Sequence, residues 1–155
     1  MRRNYRHLRE EAYTRGFEEF DRLVVDPSFR DFVCLYVAEG DKRNRNRVAI
    51  CNSDDVVLKL AVFWMRQLNV KLPSFSIQYH AVQNLEALRE FWGETLAGDA
   101  GEIRFQRKSN SGKLGHRQWR SCHGVLTAFV YDTYFRARLQ AWIDRLKFEW
   151  TRRAG

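Results

Sequence analysis

The sequence has few of the features that mark secreted, zinc-binding or membrane-spanning proteins. It contains three cysteines and no CxxC pair, so Cys34, Cys51 and Cys122 are expected to be free and mostly buried thiols. No stretch approaches the ~18 consecutive apolar residues of a membrane helix, and the N-terminus lacks the apolar run of a signal peptide. We therefore expect a cytoplasmic protein with no membrane partner.

Acidic residues are missing from two windows of an otherwise mixed sequence. Residues 42 to 47 hold four basic residues and residues 103 to 131 hold six, without any Asp or Glu. The net charge is +8, so these ten positive charges leave the rest of the chain at about −2. Basicity concentrated in this way favours a polyanionic partner over a merely solubilising surface.

Apolar and aromatic residues are abundant, at 45% and 14% of the chain, which argues against disorder. A domain of this length can bury roughly 70% of its unfolded surface. We expect the aromatic residues in the core, with Trp119 in the second basic window as a candidate for base stacking. The predicted organisation is a helical arm over residues 1 to 25 with a break at Gly16, a domain over residues 26 to 150, and a basic tail over residues 151 to 155.

Periodicity and capping residues predict the elements of the domain. Asp26 and Pro27 start a helix that runs to Gly40. The segment Ser53-Asp54-Asp55 starts a second helix, and Asp132 caps the last one. Strands are predicted over residues 47 to 52, 74 to 80 and 125 to 131, and from residue 103. The order is arm, helix, strand, helix, strand, helix, strand, strand, helix. This order predicts an α+β fold in which a mixed or antiparallel four-stranded sheet carries its helices on one face.

The other face of the predicted sheet is left open, and polar residues alternate onto it. They can hydrogen-bond phosphates or base edges, as two-stranded ribbons do in a groove of a duplex. The residues placed on this face are Arg47, Ser76, Gln78, His80, Arg104 and Gln106. Flanking residues expected to contact DNA are Arg43, Arg45, Arg107, Lys108, Lys113, Arg117 and Arg120. Double-stranded nucleic acid is the predicted partner.

The segment 32 to 40, Phe-Val-Cys-Leu-Tyr-Val-Ala-Glu-Gly, resembles a divergent form of the nine-residue motif of the LAGLIDADG homing endonucleases. Asn52-Ser53-Asp54 before a helix and His123-Gly124-Val125 entering a strand are similar to segments of bacterial proteins with this domain. The resemblance covers about residues 27 to 148 and implies an αββαββα core. One motif per chain implies a homodimer through the helix 27–39. The implied interface residues are Phe32, Cys34, Leu35 and Ala38.

The resemblance also implies a chemistry. Glu39, at the eighth motif position, would be a metal ligand, and two copies could hold Mg²⁺ and activate water against a phosphodiester. Lys42 would help to neutralise the scissile phosphate. Phe32, Cys34 and Val37 stand where the family motif has Leu, Gly and Asp, so Glu39 is the one acid left in the motif. The implied function is a site-specific, Mg²⁺-dependent endonuclease acting on double-stranded DNA.

Two other functions fit the same residues. One is a DNA-binding regulator that has this fold without cleavage, and the other is an RNA-binding module. Without the resemblance, Glu39 is an ordinary solvated residue at the end of a helix. His80, His116 and His123 show no paired spacing, so no catalytic role is predicted for them.

Overall fold

The computed structural model describes residues 2 to 96, 103 to 108 and 121 to 155. These residues form α1 (Arg2–Leu23), α2 (Pro27–Glu39), β1 (Arg47–Asn52), α3 (Asp55–Leu68), β2 (Ser74–Tyr79), α4 (Leu85–Leu96), β3 (Ile103–Arg107), β4 (Val125–Tyr131) and α5 (Thr133–Ala154). The α+β class and the predicted order of elements are confirmed. In this part of the chain, no helix combines the length and apolar content that crossing a bilayer requires.

Three aspartates begin three of the helices, as their positions in the sequence predict. The side chain of Asp26 accepts from the Ser28 N–H at 2.9 Å, and Asp54 accepts from the Val56 N–H at 2.9 Å. Asp132 accepts from the N–H at the third position of α5 at 2.9 Å. Each carboxylate satisfies a backbone donor that has no partner within the first turn of its helix.

The four strands form one mixed sheet in the order β1-β4-β2-β3. β4 pairs antiparallel with both β1 and β2, whereas β2 and β3 run parallel. A parallel pair needs a long crossover connection, and α4 lies within it. An isolated bridge between Gly40 and Ile50 extends the sheet beyond β1. The order differs from a plain αββαββα arrangement because α3 separates β1 from β2 and α4 separates β2 from β3.

The core lies between one face of the sheet and helices α2 to α5. Trp92 of α4 and Trp142 of α5 are the largest of its fully buried side chains. Burying a large apolar side chain stabilises the fold by about 1.5–3 kcal/mol. The sheet contributes Val48, Ile50, Phe75, Ile77, Leu126, Ala128 and Val130 to this layer.

The predicted arm consists mainly of α1, which packs along α5 and places Phe20 in the core. The predicted break at Gly16 is wrong, since α1 is continuous through it. Gly16 lies against the backbone of α5, where an added Cβ would stand 2.6 Å from the Arg138 carbonyl oxygen. Glycine therefore permits a close helix crossing here. The predicted basic tail continues α5 up to Ala154.

The three cysteines are free, as predicted. The expectation that most of them are buried is wrong, because Cys51 and Cys122 are exposed and Cys34 is half-buried. Cys51 is exposed because its strand position directs it away from the helices, while Val48 and Ile50 of the same strand enter the core.

Candidate nucleic-acid interface

We call the sheet surface opposite the helices the open face. Strand alternation and pairing register place on it Arg47, Ala49 and Cys51 of β1, Val125, Thr127, Phe129 and Tyr131 of β4, Ser74, Ser76 and Gln78 of β2, and Arg104 and Gln106 of β3. The described helices pack on the other side of the sheet. The open face is therefore the broad sheet surface that remains for a ligand within the described part of the chain.

The register aligns polar side chains in rows across the open face. Cys51, Thr127, Ser76 and Arg104 form one row, because each is paired with the next across neighbouring strands. Gln78 and Gln106 are likewise paired across β2 and β3. With strands about 4.8 Å apart, such a row spans roughly 14 Å, comparable to the ~12 Å width of the DNA major groove.

The β3 edge of the sheet carries positive charge, with Arg104 on the open face and Arg107, in register with Tyr79, on the other face. Arg104, Gln106, Arg107 and Lys108 are exposed. Among the described residues, no ion pair joins Arg104, Arg107 or Lys108 to an acid. The Lys108 N–H donates to the Tyr79 carbonyl at 2.9 Å, so backbone pairing with β2 continues beyond β3 and holds these residues at the sheet edge. These charges are available for an external anion.

A turn after α2 forms the opposite side of the same surface. The Tyr36 hydroxyl donates to the Asp41 carbonyl at 2.7 Å and accepts from the Ala49 N–H at 3.3 Å. Burial raises the pKa of Tyr36, so its hydroxyl keeps the proton that it donates. An added Cβ at Gly40 would lie 2.5 Å from the Tyr36 ring. Glycine is therefore required here by contact, since its φ of −73° is open to any residue.

Glu39 and Asp41 border this turn and line a concavity of about 490 Å³ on the open face, together with Arg47, Arg104 and Gln106. Four predicted site residues, Glu39, Arg47, Arg104 and Gln106, thus lie around one depression. Glu39 is exposed, and no basic side chain in the described part of the chain forms an ion pair with it. Its carboxylate is accessible from the open face.

Asp41, which the sequence did not suggest, is already engaged. Its carboxylate accepts from the Arg47 guanidinium and from the Arg43 N–H, the latter at 3.0 Å. The Arg47 hydrogen bond is the main cause that lowers the pKa of Asp41, although partial burial opposes it. The pairing partly neutralises Arg47, which is the one basic residue of the first window with an acidic partner in the described structure.

Lys42 lies apart from the concavity that Glu39 lines. Its ammonium donates to the Val37 carbonyl at 2.7 Å, which satisfies an unpaired acceptor in the last turn of α2. It lines a different depression, on the helix side, together with Arg45. Arg43 and Arg45 are exposed in the loop before β1. The Lys42 ammonium thus makes a structural contact at the end of α2, and its role beside a scissile phosphate stays a prediction.

The prediction that His80 contacts DNA from the open face is wrong in this structure. β2 ends at Tyr79, and the His80 side chain is only 8% exposed. The backbone N–H of His80 donates to the Gln83 Oε1 at 2.8 Å, within the turn that follows the strand. The alternation of β2 does not extend to His80 because the chain turns there.

The predicted dimer residues of α2 divide into buried and accessible positions. Phe32 is fully buried in the core, so its assignment to an interface is wrong. Cys34 and Leu35 are half-buried, and Ala38 is exposed. Cys34 and Ala38 lie one turn apart on the accessible side of α2.

Some predicted residues lie outside the described part of the chain: Lys113, Trp119, Arg117 and Arg120. In the part that is described, no group of three or more His, Cys, Asp or Glu side chains is arranged to hold a metal ion. A metal at Glu39 would need ligands beyond those that one described chain brings together.

The residues of β4 that line the concavity, Thr127, Phe129 and Tyr131, were not predicted. The strand from Val125 to Tyr131 is apolar at nearly every position, so its sequence does not distinguish the two faces. The central position of β4 between β1 and β2 places these side chains on the open face.

Comparisons of the chain with protein-family models, with the curated proteins and with the solved structures found no match.

Proposed function

We propose that this protein binds double-stranded DNA through the open face. The observation that carries the proposal is the polar row Cys51, Thr127, Ser76 and Arg104, which ends at the β3 edge, where the basic residues form no ion pair with any described acid. Basic side chains there would contact phosphates, while the serine, threonine and glutamine side chains would meet base edges. Phosphate contacts supply affinity and base contacts supply sequence preference.

Duplex DNA suits this surface better than duplex RNA does. The major groove of B-DNA admits protein secondary structure, whereas the major groove of an A-form RNA helix is deep and too narrow for side chains to read. A sheet face about as broad as the DNA groove matches the first geometry. Competition between DNA and RNA duplexes of one sequence tests this choice, and preference for RNA would favour the RNA-binding alternative.

The arrangement around α2 supports a LAGLIDADG-type protein. If the Gly40–Ile50 bridge is counted as a rudimentary strand, and α4 with β3 as an insertion, the remaining elements after α1 follow the order αββαββα. In that comparison, α2 is the motif helix and Glu39 lies at its end. Cys34 and Ala38 would allow two copies of α2 to approach closely in a homodimer.

The proposal includes cleavage of DNA by the homodimer. Among the described residues, Glu39 is the free carboxylate that lines the concavity of the open face, because Asp41 is held by Arg47. Two Glu39 side chains, one from each copy, would supply oxygen ligands of the kind that Mg²⁺ prefers. Bound Mg²⁺ activates water for phosphodiester hydrolysis. Glu39 also lies at the negative end of the α2 dipole, where a nearby cation is favoured by about 0.3–1 kcal/mol.

A non-cleaving DNA-binding protein is the second candidate, and the Asp41–Arg47 pair favours it. The pair withdraws one of two neighbouring carboxylates from metal binding. A Glu39→Gln variant separates the two candidates. If the protein is a nuclease, this variant should bind DNA and lose Mg²⁺-dependent cleavage; cleavage that persists in it would contradict the role of Glu39.

The test of DNA binding is fluorescence anisotropy with a mixed-sequence duplex at several salt concentrations. The triple variant Arg104→Ala, Arg107→Ala, Lys108→Ala removes three positive charges from the β3 edge. Its log affinity should depend less steeply on log salt, by about 0.9 for each phosphate that the variant no longer neutralises. The matched control is Arg22→Ala, Lys59→Ala, Lys147→Ala, which removes three exposed charges from helices. Equal decreases in both variants would show only a general charge effect.

Cys51 reports on the open face without a change of charge. In a variant with Cys34→Ser and Cys122→Ser, Cys51 is the remaining thiol and lies in the polar row. Saturating duplex should slow its alkylation. An unchanged rate at saturation would place the DNA elsewhere on the protein.

A further inference from the structure

A depression on the helix side of the molecule gathers positive charge, and none of the described residues that line it is acidic. It has a volume of about 340 Å³ and lies between α1, the loop after α2, and α5. Arg9, Lys42, Arg45 and Arg136 line it, together with the polar residues Tyr13 and Gln140. The lining of the depression therefore favours an anion.

Arg136 is the unusual member of this set because it is only 4% exposed. One end of its guanidinium donates to the Gln140 Oε1 at 3.0 Å, and the group lies 6.0 Å from the centre of the Tyr36 ring. Its Nε is buried and has no hydrogen-bond acceptor in the described structure, and the same is true of the Arg9 Nε. A buried charge is costly unless an opposite charge pairs with it. Among the described residues, the Arg136 guanidinium has a neutral hydrogen-bond partner but no anionic one.

The acidic residues beside the depression already have hydrogen-bond partners. Asp144 accepts from the Tyr13 hydroxyl and from the Gln140 amide, both at 2.9 Å, and does not line the depression. Asp41 is paired with Arg47 and lines the concavity of the open face. No ion pair joins Arg9, Lys42, Arg45 or Arg136 to an acid in the described part of the chain.

We propose that this depression binds a phosphate group, with Arg136 as the buried anchor and Lys42 and Arg45 at its exposed mouth. A guanidinium presents parallel N–H donors that match two phosphate oxygens, and Arg136 brings such a group to the lining of the depression. The phosphate is either free, including a small phosphomonoester, or part of a nucleic-acid backbone. The site lies away from the open face, so it does not depend on the function proposed above.

The test is isothermal titration calorimetry with inorganic phosphate and with pyrophosphate, in chloride buffer at constant ionic strength. The wild-type protein should bind them saturably. Arg136→Met should weaken binding about tenfold or more, the decrease expected for charged hydrogen bonds. Arg45→Gln, an exposed change that leaves the fold intact, should weaken it a few-fold, and the control Lys59→Ala, an exposed change on α3, should not change it.

Three results would overturn the proposal: no saturable binding by the wild-type protein, equal binding by Arg45→Gln and the wild type, or a decrease in Lys59→Ala as large as that in Arg45→Gln. Circular dichroism checks that Arg136→Met is folded, and Arg45→Gln carries the test if it is not. The source of the phosphate follows from the DNA affinity of Arg136→Met. Unchanged affinity identifies a free or small phosphate, whereas a parallel decrease identifies a backbone phosphate, and both results support the site.

Discussion

The α1–α5 interface and the open face both contain arginine, yet they differ in what surrounds it. Between the helices, Arg138 donates to Glu19 at 2.7 Å and Arg145 donates to Asp21 at 2.6 Å. On the open face, Arg104 has no acidic partner in the described structure, although it lies in a row with neutral polar side chains. Charge is thus used within the fold in one region and left for a partner in the other.

The difference separates two contributions that net charge combines. A buried, paired arginine affects folding because removal of its partner leaves an uncompensated charge. An exposed, unpaired arginine has little effect on folding and instead attracts polyanions. Variants in the two regions should therefore differ in which property they change.

The largest effect is expected for Glu19→Ala. The Glu19 side chain is 7% exposed, and its removal leaves the Arg138 guanidinium without an acidic partner. The free energy of unfolding should fall by about 3–5 kcal/mol, measured by urea denaturation. Glu18→Ala, a neighbouring exposed change on α1, is the control and should have little effect. Similar decreases in both variants would contradict the importance of the ion pair.

Gly16→Ala should destabilise the same interface by about 1–3 kcal/mol, because the added methyl group would meet the backbone of Arg138 at 2.6 Å. Alanine is otherwise the better helix former by about 1 kcal/mol. Gly93→Ala in α4 isolates that gain, since nothing lies within 4 Å of its Cβ position. The midpoint of thermal unfolding should fall for Gly16→Ala and rise for Gly93→Ala. A higher midpoint for Gly16→Ala would show that α1 and α5 can move apart at low cost.

Arg104→Ala should show the reverse behaviour to Glu19→Ala. Its free energy of unfolding should stay within about 0.5 kcal/mol of the wild-type value, because the side chain is exposed and forms no ion pair with a described residue. Its DNA affinity should fall, and the salt slope should decrease by about 0.9 if Arg104 neutralises one phosphate. Lys59→Ala on α3 is the matched control. An Arg104→Ala protein with wild-type salt dependence would remove Arg104 from the proposed interface.

Asp41→Asn should have a small effect on the free energy of unfolding, and this effect depends on pH. The Arg47 hydrogen bond lowers the pKa of Asp41 in the folded protein below its ordinary value of 3.8. A lowered pKa adds stability that is present above pH 3.8 and disappears as the pH falls through the folded value. Near neutral pH, the free energy of unfolding of the wild type should exceed that of Asp41→Asn by up to about 1 kcal/mol. This difference should decrease in acid. A gap that stays constant in chemical denaturation from pH 7 to pH 3 would contradict this linkage.

Local features of the fold were predictable from the sequence. Asp26 and Asp132 marked helix starts because a carboxylate beside a run with helical periodicity satisfies free N–H groups. The bounds of β1 and β4 followed from their β-branched and aromatic residues between polar segments. These features depend on neighbouring residues, which the sequence shows directly.

Features that depend on distant residues were not predictable. Gly16 suggested a break, and only its contact with Arg138, far away in the sequence, shows why a continuous helix needs it. Tyr131 gave no indication of its face, since β4 pairs on both sides with strands that come earlier in the sequence. The buried position of Arg136 likewise follows from helix packing, because arginine in an amphipathic helix is usually exposed.

The position of β3 at the edge of the sheet affects how copies of the protein associate. In the described part of the chain, β3 has a neighbour on one side, so its outer backbone groups form a strand edge of the kind that seeds aggregation. Arg104, Arg107 and Lys108 lie along that edge, and like charges on two such edges repel each other. The residues proposed to attract DNA would therefore also protect the free protein from edge-to-edge assembly. Replacing them with neutral residues would lower both the nucleic-acid affinity and the resistance of the protein to aggregation.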